Sequence, residues 1–271
     1  MSEKYLHRDD APFGDDVWEK IDHAVIGAAK SQLSGRRILP TKGPFGLGLK
    51  AIPFGDTSSE GKGIIEGVSM NASCVIPLAM VRTEFSLPIR DVAAFEEGGV
   101  PLDLGPATKA ALLLARQEDE LIFNGAQALK SVGLLNTPGV RSVKLKAWNE
   151  TGAAVEDIIG AATELDNAGF HGPYALALTP KSYNTLFRRY PQGNMTELEH
   201  IRQIVTDGVV KAPGIPGGGV LVDTSGPYAD IVLGQDMMTG FVGPDSGRYE
   251  FAISETVALW LRQPEAVCVL K

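Results

Sequence analysis

Residue types able to do chemistry are scattered through this chain, and few stand at a spacing that chemistry uses. The stretch SQLSGRRILPTKGPFG, residues 31–46, combines Arg36, Arg37 and Lys42 with Gly35, Gly43 and Gly46. A phosphate cradle would use such a mix, but it sets its glycines before a helix, whose free amides then face the anion. Here Gly35 follows a helical pattern, and neither GxxxxGK[ST] nor GxGxxG spacing is present. The four histidines, His7, His23, His171 and His200, form no HxH or HxxxH pair, which argues against a histidine metal site. HRD at 7–9 echoes a kinase catalytic loop but lacks the glycine-rich loop and DFG that give it meaning. No GxSxG elbow occurs. Cys74 and Cys268 stand in no CxxC and read as free thiols of a reducing compartment. Within RQEDELIF, Glu118, Asp119 and Glu120 point three ways around a helix, the expectation for a solvated face rather than an acid–base pair. Glu255 interrupts the apolar face of a strand pattern and is expected to be buried with a partner. The residues point to no catalytic group, no metal and no cofactor.

Composition agrees with a soluble globular protein. The 271 residues are 44% hydrophobic and 21% charged, enough for a real core. No run approaches the roughly 18 to 20 apolar residues of a membrane helix, and MSEKYLHRDD has no apolar signal segment. The expected location is therefore the cytoplasm, with the sequons at Asn71, Asn149 and Asn194 as chance matches. A net charge of −8 disfavours nonspecific nucleic-acid binding.

Periodicity supplies the elements. Val17, Ile21, Val25 and Ala28 or Ala29 form one apolar stripe over 16–34, with Asp16 and Glu19 spaced as a capping box and Gly35 as the expected left-handed terminator. Val68, Met70, Ala72 and Cys74 alternate with polar residues, as do Phe85, Leu87 and Ile89 in the opposite phase. The flip requires a bulge, a turn or a change of partner. Residues 46–90 therefore read as a long hairpin-like arm with few local core contacts. Helices are expected over 106–124 and 153–168, a buried strand at PYALALTP, and short helices over 181–189 and 196–206. Residues 249–262 are expected to form a long alternating strand, whose fourteen residues span about 45 Å.

Five motifs then appear in order: QLSGRRILPTKGPFG, EDELIFNG, GPYALALTP, VLGQDMMTGF and ISETVALWLRQPEAVCVLK. Together, from Asp9 to Lys271, they resemble the encapsulin shell proteins, once grouped as linocin-type bacteriocins. The resemblance implies an α+β fold, that of tailed-bacteriophage major capsid proteins of the Hong Kong 97 type. It also implies an N-terminal helix and arm (1–45), an extended loop (46–90), a peripheral domain (91–131 and 223–271) and an axial domain (132–222). It implies a partner in further copies of the same chain, an icosahedral homo-oligomer, and a guest enzyme that enters through a short C-terminal peptide. Family guests are ferritin-like iron-storage proteins or dye-decolourising peroxidases. A phage capsid subunit packaging DNA, or a stand-alone enzyme, is the alternative. Neither nucleic acid nor membrane is expected as a partner.

Carried residue by residue, the resemblance places the guest-peptide groove at Val25, Ala28, Ala29, Leu33, Arg36, Ile38, Asp236 and Met238. It places a pore loop at Tyr190, Gln192, Gly193 and Asn194. Pro40 stands where some relatives carry an acidic residue. A flavin-stacking tryptophan of some members falls near Arg90, which cannot stack that way, so no flavin is expected.

Overall fold

A computed structural model describes residues 3–56, 61–62, 68–70, 72–191 and 193–271. The first long helix, α1 (Asp15–Gln32), buries Val17, Ile21, Val25 and Ala28 on one stripe. Its ends differ from expectation. Gly14 is the N-cap and no side chain caps the helix. Asp16 already lies inside the first turn, where it and Asp15 favour the positive end of the helix dipole instead. At the other end the helix stops at Leu33, and Gly35 opens a single 3-10 turn to Arg37 rather than adopting a left-handed conformation. The glycine is required for room. A Cβ there would stand 3.2 Å from Ile122 Cγ2 and 3.4 Å from Asp119 Oδ1.

The chain continues through β1 (Thr41–Lys42) into a ribbon of β2 (Ala51–Asp56), β3 (Gly61–Lys62), β4 (Ser69–Met70) and β5 (Ser73–Pro77). β2 pairs only with β5, and β3 with β4. Thus the expected single strand over 68–74 is two strands, and Asn71 between them lies outside the described residues. Both legs of the ribbon are anchored: Phe45 and Gly46 donate to the carbonyls of Leu233 and Gly234, Leu78 donates across the ribbon to Lys50, and the second leg runs on into the first sheet, where Ala79 pairs opposite Val257.

After Leu78 the chain changes partner, as the phase flip required. β6 (Ala79–Pro88) leaves the ribbon and runs antiparallel to a much later strand. The arm is consequently shorter than 46–90: Phe85 and Leu87 belong to the core, not to an extension. Helices α2 (Ile89–Gly98) and α3 (Gly105–Asn124) follow.

Next come β7 (Arg141–Val143), α4 (Ala153–Asn167), β8 (Tyr174–Leu178), α5 (Pro180–Thr185), α6 (Glu197–Ile204), β9 (Val209–Lys211) and β10 (Gly219–Asp223). β8 buries every residue, as its unbroken apolar run requires in a covered central strand. The two short helices end earlier than their patterns, and Thr196 with Glu199 forms a true capping box at α6. The chain then returns through β11 (Ala229–Leu233), β12 (Met238–Asp245), β13 (Arg248–Leu261) and β14 (Val267–Leu270).

Two sheets result. In the first, β13 is central. β6 lies along one edge, β12 and then β11 along the other, and β1 extends the sheet parallel to β11. Phe85, Leu87, Phe241, Phe251 and Ile253 point from this sheet onto α1 and α3. The second sheet has the order β7-β14-β10-β8-β9, with α4 and α6 packed on it. Segment 223–271 thus contributes to both sheets, because β14 lies between β7 and β10. Among the described residues no helix is long and apolar enough to cross a membrane.

Candidate functional site

The end of α1 is tied to the centre of the first sheet by one arginine. Along α3, Glu118 follows Leu114 and precedes Leu121 and Ile122; along β13, Glu255 stands between Ile253 and Val257. The two apolar rows pack on each other, so the two interruptions meet. Arg36 reaches between them from the 3-10 turn. Its Nε and Nη2 donate to Glu118 Oε1 and Oε2 at 2.7 Å each, Nη2 also donates to Glu255 Oε2 at 3.0 Å, and Nη1 donates to Asp236 Oδ1 at 2.8 Å. Glu118 and Glu255 are fully buried, whereas the Asp236 side chain is 48% exposed.

Beside it, Asp119 accepts from the Ser34 and Gly35 amides and from the Ser34 hydroxyl, so a buried carboxylate caps the start of the 3-10 turn that follows α1. The expectation of a solvated 118–120 face is overturned. α3 is covered by α1 on one side and by the sheet on another, and only an arc containing Arg116, Gln117 and Glu120 reaches water. Glu255 is, as expected, a buried carboxylate with a partner.

Burial shapes the electrostatics. It pushes the Glu255 carboxyl up to about 10, helped by the nearby Glu118 charge and opposed by Arg36. Burial also raises Glu118, against the hydrogen bond and charge of Arg36. Burial works against the Arg36 charge, but Glu118 and Asp236 outweigh it and hold the guanidinium above its ordinary value.

Of the groove residues expected from the resemblance, Ala29 and Leu33 pack together with Ala115 and Met237, next to Arg36 and Asp236. Val25 and Ala28 face the aromatic core under β12, and Ile38 lies in the core beside Ile122. All five apolar or small positions on α1 and after it are buried; the surface that remains is Asp236 and the half-buried Met237 and Met238 at the head of β12, with the partly buried Arg36 beside them. Glu118, Asp119, Glu255 and Met237 were not singled out as site residues. The one available signal was the polar letter within each apolar row.

At the expected pore loop, the Tyr190 ring packs tilted against His200 with centroids 4.6 Å apart, and Arg189 and Thr196 close the loop as a bridge. Gly193 and Asn194 are exposed at its tip, and Gln192 lies outside the described residues. Glu197 is fully buried, accepting from Arg188 and the Gly152 amide. The ribbon leaves Phe54 and Val75 exposed, and Met80 just past it. At its base, Phe54, Val75, Ile76, Val132, Trp260 and Leu261 line an open cleft of about 560 Å³. Among the described residues no group of three or more His, Cys, Asp or Glu could hold a metal ion.

The family model described as "Encapsulating protein for peroxidase" matches residues 3–258. The chain belongs to the encapsulin family. A type 1 encapsulin shell protein of Myxococcus xanthus is 31% identical to it, over 98% of this chain and 96% of that protein. The solved virus-like particle from Pyrococcus furiosus superposes with a TM-score of 0.74 at 24% identity, over 94% of this chain and 99% of that one. The capsid of the myovirus XM1 superposes at 0.60 with 14% identity, over 86% and 88% of the two chains. This encapsulin subunit therefore has the capsid fold of tailed phages, as the motifs implied, and it is a shell subunit.

Proposed function

We propose that copies of this subunit close into an icosahedral shell in the bacterial cytoplasm that encloses a guest enzyme, either a ferritin-like iron-storage protein or a dye-decolourising peroxidase. The guest enters through a short C-terminal peptide. The subunit itself makes and breaks no substrate bonds, needs no cofactor and packages no nucleic acid. The observation that carries this reading is the β2–β5 ribbon. A two-stranded ribbon is marginal alone, and this one pairs only within itself among the described residues while exposing Phe54 and Val75. A neighbouring copy supplies the cover. Obligate contacts of this kind commonly bury roughly 2,000 to 5,000 Å².

In this reading 91–131 and most of 223–271 form the peripheral part, 132–222 the axial part, and the ribbon within 46–90 the extended loop. The guest peptide lies over Val25, Ala28, Ala29, Leu33, Arg36, Ile38, Asp236 and Met238. With the apolar members buried, they floor the groove, and Asp236 with the flexible methionines beside it makes the direct contact. Tyr190, Gln192, Gly193 and Asn194 line a pore. The inward turn of Glu197 leaves the described part of that loop without a carboxylate, so it favours small solutes without strong cation selection. The purified protein is expected to elute in the megadalton range, against 28.8 kDa for one chain, and to show hollow particles by negative-stain microscopy. Genomic DNA protected from nuclease inside the particles, or a monomer that turns over a metabolite, overturns the reading.

A further inference from the structure

The Arg36 junction has more acid than base. The turn after α1 brings Arg36. α3 brings Glu118 and Asp119, the second already occupied by main-chain amides. The 234–238 segment brings Asp236 and the neutral Gln235, and β13 brings Glu255 with Ser254 and Thr256 beside it. Arg37 points elsewhere, donating to the carbonyls of Lys30 and Ser31. One guanidinium thus serves three carboxyls, two of them fully buried. Two buried negative charges on a single cation are costly. The geometry also leaves a flaw: Glu255 Oε1 is buried with no donor. A proton on Glu255 removes one charge and supplies a donor toward Glu118, which lies within hydrogen-bonding reach.

We propose that Glu118 and Glu255 hold one proton between them at neutral pH, and that this shared proton is a latch joining α3 to the middle of β13, released as the solution turns alkaline. The latch belongs to the subunit and holds whatever guest the shell carries. The direction of its pH dependence follows from the raised Glu255 value. The folded chain keeps a proton that the unfolded chain, titrating near 4.5, gives up. The stability contributed is complete below about 4.5, declines as the pH rises, and is gone once the pH has passed through about 10.

The test begins on wild-type shells, in which infrared spectra at neutral pH are expected to show the carbonyl band of a buried protonated carboxylic acid that fades on alkaline titration. Glu255→Gln, whose amide keeps a donor where the acid had one, is expected to lose that band. It should also flatten the fall of Tm between pH 5 and 10, and exceed the wild type by a few degrees at the alkaline end. Glu118→Gln gives the same comparison from the other partner. Absence of the band in wild-type shells overturns the proposal without need of any variant. So does a Glu255→Gln shell that is less stable than the wild type by a constant amount at every pH.

Discussion

Asp119 is the residue on which the turn after α1 depends. Its two oxygens take three donors from Ser34 and Gly35 in a site closed to water. Asp119→Ala leaves buried amides without acceptors, each at a penalty of about 1–3 kcal/mol. We expect a loss of about 3 kcal/mol or more in urea unfolding of dissociated subunits, while Glu120→Ala on the exposed arc changes stability little. A loss for Asp119→Ala no larger than that for Glu120→Ala contradicts this role. Gly35 shows why the residue scale was only half legible. The spacing after a helix suggested a left-handed cap. What the site demands is the missing Cβ against Ile122 and Asp119, and those neighbours stand more than eighty positions along the chain. The same holds for Glu118: its acidic neighbours suggested a solvated face, but its partner Arg36, 82 residues away, meets it in the core.

At the scale of elements, periodicity served best where neighbours cover an element evenly. α3, α4, β8 and β13 follow their patterns to within a residue or two, since one face or both are packed throughout. It served least in the ribbon, where alternation continued across a change of partner, and β6 read as arm although it pairs with a strand more than 160 positions later. The ribbon packs Ile52 and Ile76 on Val232, Ala258 and Trp260, but leaves Phe54 and Val75 exposed. Phe54→Arg is expected to leave the circular dichroism of the dissociated chain unchanged and to abolish the megadalton species in sizing chromatography. Normal particle yield from this variant removes the ribbon from the assembly contact.

For the whole molecule, few polar groups stand at the boundary between the buried core and the surface. Asp236 sits at that boundary: buried on one side against Arg36, open on the other. Asp236→Lys places a cation beside Arg36 at the surface and reverses the charge offered to a guest peptide. We expect intact particles with at least tenfold less co-purified guest. Undiminished guest in particles of normal yield rejects this face as the docking groove. Leu33, at 6% exposure, is unsuited to the same experiment, because a charge placed there would unfold the helix end before it reported on a guest.

The double anchorage of the ribbon has a geometric effect beyond one subunit. With one leg hydrogen-bonded to the body at Phe45 and Gly46 and the other continuing into the pairing of Ala79 with Val257, the projection cannot swing about either leg alone. Its angle to the first sheet is set within a few residues of backbone around Gly46 and Lys50, so small torsional differences there are magnified along its length. In the shell proposed above, where ribbons lie across neighbouring copies, the curvature of the wall would follow the setting of this short joint.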